Sequence, residues 1–404
     1  MKTIFFISMV VLLTSPFAAR AQSEGEEVLP QIEIGFKTIT TGNYYSNKGR
    51  ASLDIPVLNE GDQVLTDFSD SYLMLGVSQK LYHGWRGQMV LGFTFPDVNS
   101  GLGQVFYNQI MLQVDNQKNM IKLGRSTSQT TLTEFSTFRD DDAVLYNYVL
   151  NPFSGGINSQ DNQYANVLEY TRILGQRFYL TFHGENYMDF QNPNQLDING
   201  LGGSVVYRVP GSQVWNRNVL QQVGFSVNNF IDTPTDQDNG NKKTLTNLIG
   251  TATFNLLPDP INFIDFKTQI INNIGLNEVK DITDYTSYSR TKSTAVFGML
   301  RYLNRKLERP RYQLSAGFGY KTFSDVGKDT KQWMLISNLF YRVGNNFDLL
   351  FQYKYNQNEG ALRPLLGNNQ QRFQMGIAYT FSKIFNNQFD DRNSILNLEH
   401  GYIR

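Results

Sequence analysis

The chain has 404 residues, no net formal charge and no cysteine. It can therefore form neither a disulfide framework nor a thiolate metal site, and its balance of 36 basic and 36 acidic residues gives no global attraction to nucleic acid. Its excess lies in 29 phenylalanines, 22 tyrosines and 33 glycines, in a chain of mean hydropathy −0.37. Such a composition is typical of an outer-membrane β-barrel, with a soluble exported β-protein as the alternative.

The amino end has the features of a secretory signal. Lys2 precedes the apolar run 4–13, and Ala19, Arg20 and Ala21 follow as a cleavage site. The run is shorter than the roughly 20 residues that cross a bilayer as a helix. We therefore expect residues 1–21 to be a signal peptide that is removed on export.

The rest of the chain alternates polar and apolar residues with a period of two, which indicates β-strands. The segment 311–321, RYQLSAGFGYK, shows the pattern clearly. Strands are predicted at 31–41, 69–82, 84–96, 102–115, 117–126, 164–173, 176–187, 197–208, 217–230, 241–256, 260–273, 287–303, 308–322, 329–343, 345–357 and 370–382. This makes about sixteen, and a further strand within 46–56 would raise the number to eighteen.

Aromatic rings lie at both ends of several apolar faces. In 346–355, NFDLLFQYKY, the face runs from Phe347 to Tyr355, with Leu350 as an exception on the polar face. Ala378 is the corresponding exception in the last predicted strand. The apolar face of a strand in a soluble sandwich would taper toward polar ends, whereas a strand that faces lipid carries rings at both interfaces.

The connections between the predicted strands alternate in length. Tight turns such as Pro258-Asp259-Pro260 follow most of the even-numbered predicted strands, and longer polar stretches follow most of the odd-numbered ones, at 42–68, 127–163, 274–286 and 358–369. Bacterial barrels have short turns on one rim and long loops on the other. The sequence therefore predicts an all-β fold, a transmembrane antiparallel β-barrel over residues 22–382.

Two local motifs add a family resemblance. MIKLGRS at 120–126 resembles the fifth strand of the general diffusion porins of Gram-negative bacteria, and Pro152, Phe153, Gly155 and Gly156 resemble the turn motif of their third loop. In that family of sixteen-stranded barrels the third loop folds into the lumen and narrows it with acidic side chains. The resemblance implies the same role for 127–163, an outer-membrane location and a homotrimer.

The composition of the 127–163 loop fits this role. Residues 143–153 are apolar enough to pack on an inner wall, and the acids are Glu134, Asp140, Asp141 and Asp142. The alternative is a surface loop whose acids are hydrated or bind calcium. Candidate cations on the facing wall, unless they lie at a rim and only aid solvation, are Arg86, Arg177, Arg311, Lys321, Lys354 and Arg372.

Enzymatic readings have little support. The three histidines are His83, His183 and His400, none with a second histidine at metal-ligand spacing. His183 alternates inward beside Glu185, where a barrel hydrolase could use it. The acids of 232–240 do not fit a calcium loop. We expect no cofactor.

The predicted function is an outer-membrane porin, surrounded by lipid, through which small hydrophilic solutes or ions diffuse. Residues 383–404 extend past Phe381, where porins of the resembled family end. This tail would lie in the periplasm, where it could dock a periplasmic or outer-membrane partner. The alternative function is accordingly a barrel subunit of a larger transport or secretion assembly.

Overall fold

The computed structural model describes thirteen stretches of the chain. They are residues 29–49, 60–67, 71–95, 106–116, 118–127, 164–186, 200–210, 217–232, 243–274, 292–306, 309–324, 329–344 and 346–386.

All the described strands belong to one antiparallel sheet. They are β1 (Gln31–Lys48), β2 (Gly61–Asp67), β3 (Ser71–Lys80), β4 (Arg86–Phe95), β5 (Phe106–Asp115), β6 (Asn119–Thr127), β7 (Tyr164–Leu174), β8 (Phe178–Asn186), β9 (Gly200–Arg208), β10 (Leu220–Asp232), β11 (Lys243–Leu257), β12 (Asn262–Ile274), β13 (Ser293–Lys306), β14 (Arg309–Phe323), β15 (Lys331–Arg342), β16 (Phe347–Glu359) and β17 (Asn369–Phe385). Three short helical segments occupy Tyr82–Gly84, Gly360–Leu362 and Arg363–Leu366.

The seventeen strand segments make sixteen crossings. β2 pairs with the second half of β1, from Asn47 opposite Gly61 to Thr41 opposite Asp67. β3 pairs with the first half of the same strand, from Lys37 opposite Tyr72 onward. β2 and β3 are thus two parts of one crossing, and the prediction of sixteen strands is confirmed.

The sheet closes on itself. β1 pairs with β17 along its length, from Ile32 opposite Phe385 to Lys48 opposite Asn369, while its other edge pairs with β2 and β3. Every other strand pairs with its neighbours in sequence, including β9 with β10. A closed barrel leaves no edge with unsatisfied backbone groups, which is the condition for a sheet to lie in lipid.

Side chains alternate between the two faces of the barrel wall. On β14, Gln313 and Lys321 point inward and are fully buried, whereas Leu314 and Phe318 point outward and are 46% and 50% exposed. The same alternation runs along β1, β15 and β16. The outer face is therefore apolar and the inner face mainly polar, as the sequence predicted.

Aromatic rings concentrate at both rims of the outer face. At the rim where Phe178, Tyr312 and Phe347 lie, rings pack as the pairs Phe178–Tyr207, Tyr302–Tyr312 and Phe347–Tyr379, with centroids 5.2, 5.8 and 4.8 Å apart. At the opposite rim Trp333 packs on Tyr355 at 5.0 Å. Two aromatic belts of this kind mark the two interfaces of a membrane.

The rims also differ in their connections. Those of the short-turn rim range from two residues, 307–308, to eleven, 209–219, and those of the long-loop rim from seven, 324–330, to thirty-six, 128–163. At the short-turn rim Asp259 accepts hydrogen bonds from the backbone N–H groups of Ile261 and Asn262, at 2.6 and 3.0 Å. The bonds from Asn262 and then Ile261 hold the pKa of the Asp259 carboxyl below its usual value, so they stabilise the turn while that carboxyl is ionised.

Three predicted boundaries need correction. β1 continues through Lys48, and Gly61–Asp67 form a strand, although 42–68 was predicted to be a loop. Residues 46–48 thus belong to β1, so the eighteen-strand alternative is wrong. The second half of β1 has the polar composition of a loop because side chains such as Asn43 and Asn47 face the lumen. The last strand also runs past Phe381 to Phe385, while residues 1–28 and 387–404 lie outside the described residues.

No helix in the described stretches is long and apolar enough to cross a membrane.

Gly124 permits one close backbone approach between β5 and β6. Its φ is +117°, and a Cβ there would lie 2.2 Å from the carbonyl oxygen of Ile110. We expect Gly124→Ala to destabilise the barrel by roughly 1–3 kcal/mol, from backbone strain. Urea unfolding in lipid vesicles, followed by the mobility of unheated protein on a gel, would measure the loss.

Gly42→Ala is the matched control, because a Cβ at Gly42 would meet no atom within 4 Å. Equal unfolding midpoints for the two variants would contradict the close approach.

Candidate functional site: the inner wall

The inner wall of the barrel is polar and deeply buried. Glu33, Asp265 and Lys321 are each 0% exposed.

In the described part of the barrel, ion pairs cross the inner wall between neighbouring strands, and four of them illustrate the arrangement. In each pair a cation and a carboxylate occupy directly opposite register positions, and the pairs are Arg86–Asp115, Lys122–Glu169, Arg301–Asp265 and Arg342–Asp348. Their shortest nitrogen–oxygen distances are 3.2, 3.3, 2.5 and 2.8 Å in the same order. Directly opposite charges of unlike sign stabilise adjacent strands.

The Arg301–Asp265 pair is the most enclosed of the four. The Asp265 side chain is 0% exposed, and Arg301 Nε donates to its Oδ1 at 2.9 Å while Nη2 donates to Oδ2. Two parallel hydrogen bonds of this kind fix both side chains as well as their charges. The guanidinium carbon also lies 5.9 Å from the centre of the Phe263 ring.

Most of the cations predicted to line the wall do face inward. Lys321, Lys354 and Arg372 are 0%, 1% and 4% exposed. Arg86 begins β4 in its pair with Asp115, and Arg311 is exposed close to the short-turn rim. The structure brings only two of these cations together, because Lys354 and Arg372 are opposite each other in the register of β16 and β17.

Arg177 is not on a strand, contrary to the prediction. Gly175 and Gln176 have φ values of +56° and +58°, and the Arg177 N–H donates to the Leu174 carbonyl at 3.1 Å. Two successive positive φ values make the tight hairpin turn that joins antiparallel strands. β8 therefore begins at Phe178, and Arg177 lies exposed at the short-turn rim.

The predicted acids Glu134 and Asp140–Asp142 lie outside the described residues, as do Pro152, Phe153, Gly155 and Gly156. Several further charged residues of the wall were not predicted. They are the inward cations Lys37, Lys122, Lys267, Arg301, Arg305 and Arg342, and the acids Glu33, Asp115, Glu169, Asp265 and Asp348. The same two-residue alternation could have found most of them, because they lie within predicted strands.

Apolar islands interrupt the polar inner wall. Leu350 and Ala378, which broke the alternation in the sequence, form one island with Ile39 and Phe340. A larger island contains Ile249, Ile271, Ala295, Phe297, Met299, Met334 and Ile336. Phe297 lies over Gly317, where a Cβ would come within 2.8 Å of its ring. Apolar side chains on the lumen face are suited to packing against other apolar groups inside the barrel.

One connection of the long-loop rim folds inward over the wall. Within the 360–367 segment Leu362 and Leu366 are 0% and 1% exposed. The inward side chains of Asn358 and Gln370 donate to the carbonyls of Gly367 and Leu366, at 3.0 and 2.8 Å. This segment therefore covers part of the lumen at the long-loop end of β16 and β17.

His183 and Glu185 face the lumen, as the sequence analysis expected. Their Nε2 and Oε1 atoms are 3.3 Å apart, and both side chains are buried. Gly202 makes room for the imidazole, since a Cβ there would lie 2.6 Å from Nε2. Within the described stretches no group of three or more His, Asp or Glu residues is placed to hold a metal ion.

The barrel matches solved outer-membrane channels along most of its length. An anion-selective porin from Comamonas acidovorans is 12% identical, with a TM-score of 0.59 over 87% of this chain and 100% of that one. This chain has the fold of the sixteen-stranded porins. The outer membrane channel DcaP of Acinetobacter baumannii and Salmonella typhi OmpF each match at 12% identity and a TM-score of 0.58, over 87% of this chain and 97% of theirs.

No protein-family model matches the sequence, and no curated protein matches it significantly. The likeness thus resides in architecture, which supports the predicted barrel without specifying the solute.

Asp265 provides a test of the inner-wall ion pairs. Asp265→Asn leaves the Arg301 guanidinium buried without its counter-charge, and we expect the barrel to lose about 3–5 kcal/mol of stability. Urea unfolding of the folded protein in vesicles is the measurement.

Glu359→Gln is the control, because Glu359 pairs with Lys331 in a partly exposed salt bridge of 3.1 Å at the long-loop rim. Exposed pairs contribute only about 0–1 kcal/mol. A loss for Asp265→Asn no larger than that of Glu359→Gln would contradict the importance of the buried pair.

Proposed function

We propose that the protein is a passive channel of the Gram-negative outer membrane, through which small hydrophilic solutes or ions diffuse. The observation that carries the proposal is the closed sixteen-crossing barrel, with an apolar outer face between aromatic belts and a charged, polar inner face. An outer face of this kind suits lipid, and the inner face suits water and polar solutes. The porin fold of its structural matches points the same way.

Export to the outer membrane follows from the proposed signal peptide at residues 1–21. Removal of that segment in the inner membrane would release the mature chain into the periplasm, where the barrel would assemble. The short-turn rim then faces the periplasm and the long-loop rim faces outward, as in bacterial barrels.

The 127–163 loop is proposed to narrow the pore. It leaves β6 at Thr127 and returns to β7 at Tyr164, so thirty-six residues, 128–163, are available at the long-loop rim. The apolar islands of the inner wall offer surfaces against which residues 143–153 can pack. The acids Glu134 and Asp140–Asp142 would then lie across the water path from wall cations, so that the field between them orients passing solutes.

A homotrimer is part of the proposal, because one of the matched structures is a trimer form of OmpT from Vibrio cholerae. Isolated barrels in detergent would have the mass of three chains if this is correct.

A second candidate function is a closed barrel that serves a larger transport or secretion assembly. The observation that favours it is the deep burial of the inner wall, since Glu33 and Lys321 are both 0% exposed. The tail was predicted to be 383–404, but β17 ends at Phe385. In this case the residues that follow β17 would dock the partner.

Planar-bilayer recording of the purified protein separates the two functions. Stable conductance steps, with a measurable reversal potential in a salt gradient, are expected for the channel. Inserted, folded barrels that pass no current would contradict it and favour the closed barrel.

The role of the loop acids is tested by replacing Asp140, Asp141 and Asp142 with Asn. If these carboxylates line the constriction, the reversal potential should shift toward weaker preference for cations, because three negative charges leave the narrowest part of the path. The control replaces Asp232, at the end of β10, together with Asp236 and Asp238 of the connection that follows it at the same rim. Equal shifts in both variants would contradict a special position for the 127–163 loop.

A further inference from the structure

One sector of the short-turn rim, from β6 to β10, carries positive charge without acidic residues. Its three connections, 116–118, 175–177 and 209–219, contain no aspartate or glutamate. The cations of these connections and of the strand ends beside them are Lys118, Arg172, Arg177, Arg208 and Arg217. A membrane leaflet that borders this sector therefore meets a cluster of positive charges.

Backbone hydrogen bonds hold three of these cations side by side. The Ile173 N–H donates to the Lys118 carbonyl at 2.7 Å, one residue after Arg172 in the chain. The Arg177 N–H donates to the Leu174 carbonyl at 3.1 Å, two residues after Arg172. Lys118 and Arg177 thus flank Arg172 on the sides of β6 and β8. These three residues are called the basic cluster below.

Arg172 points to the outer face of the barrel. Its register partners are Asn119 on β6 and Leu180 on β8. Tyr170 and Leu174, the outward positions on either side of it along β7, are 41% and 43% exposed. A guanidinium on this face lies at the edge of the apolar band, where it needs water or negative charge because acyl chains offer neither.

Asn119 orients the arginine and leaves most of its donors unused. The Asn119 Oδ1 atom accepts hydrogen bonds from Arg172 Nη1 at 2.6 Å and from the Tyr170 hydroxyl at 3.0 Å. Among the described residues, Arg172 donates to no other acceptor, and neither Lys118 nor Arg177 forms a salt bridge. Since a guanidinium carries five donors, four of them are available to a ligand.

Exposed apolar side chains lie next to the basic cluster on the membrane side. Ile121, Leu174 and Phe178 are 43%, 43% and 46% exposed. The Phe178 ring also packs on Tyr207 in the aromatic belt, with centroids 5.2 Å apart. Cations at the level of the headgroups, beside apolar surface at the level of the acyl chains, suit a molecule that has both phosphate and acyl chains. A free anion or an acidic peptide would use only the cations.

We propose that Lys118, Arg172 and Arg177 bind the phosphate headgroup of an anionic phospholipid. Arg172 would bind two phosphate oxygens, and the two flanking cations would add to the negative charge that the cluster can hold. The inference requires the barrel to lie in a membrane but not to have an open pore. It therefore goes beyond the proposed channel function and applies to a closed barrel as well.

The test uses phosphatidylglycerol as the probe. The folded full chain, in an uncharged detergent, is titrated with this lipid, and native mass spectrometry counts the lipid molecules that stay bound. Arg172→Gln should raise the apparent dissociation constant about tenfold, because it removes charge-assisted hydrogen bonds to phosphate. Lys118→Gln should raise it about threefold, since an exposed ammonium holds an anion less firmly. The Lys118 side chain is exposed in a turn, so this variant tests the site even if Arg172→Gln fails to fold.

Arg363→Gln is the matched control, because Arg363 is an exposed arginine of the long-loop rim whose Nε donates to the Asn358 carbonyl at 3.4 Å. Its dissociation constant should equal that of wild type. Equal lipid binding by wild type, Arg172→Gln and Lys118→Gln would overturn the proposal. Displacement of the lipid by an equal concentration of inorganic phosphate would also overturn it, by showing a site for free anions. So would a barrel that binds a glutamate-rich peptide through Arg172 but binds no phosphatidylglycerol. Conductance is not part of this measurement, so its result stands whether or not the channel function does.

Discussion

Closure of the hydrogen-bonded sheet is the constraint on which the rest of the structure depends. Lipid offers no partner for a backbone N–H or carbonyl group, so a sheet can lie in a membrane only when every strand has two neighbours. The pairing of β1 with β17 on one edge and with β2 and β3 on the other supplies the last of these contacts. The period of two then assigns alternate residues to the outer and inner faces.

The inner face reflects a second constraint, which is that charges removed from bulk water need compensation. At the ion pairs described above, the wall meets it by placing a cation opposite a carboxylate in the register. At Lys354 and Arg372 the register instead places two cations together, with Tyr45 and Asn43 holding the arginine.

Much of this architecture could be read from the sequence, because strand period and turn composition are local properties. The predicted segment 308–322 coincides with β14 to within one residue at each end. Local composition failed where a lumen-facing strand has the same residues as a loop, as at Asn43 and Asn47. It failed also at Arg177, where φ values rather than residue types decide the turn.

The contacts across the wall could not be predicted in the same way. The opposition of Lys354 and Arg372 depends on the register of β16 against β17, which the length and path of the 360–367 segment set. The Arg301–Asp265 pair likewise joins residues 36 positions apart in the chain. Alternation predicts which face a residue occupies, but not which residue stands opposite.

If the barrel is a channel, its polar face borders a water path and its apolar face borders lipid. The chain has no cysteine, so a single introduced thiol can be labelled without background. Gln113→Cys and Leu112→Cys place it on the inner and outer faces of β5, where Leu112 is 44% exposed. A charged, membrane-impermeant thiol reagent should react with the first variant and reduce its single-channel current, leaving the second unchanged. Modification of the Leu112 variant with the Gln113 variant inert would contradict the account.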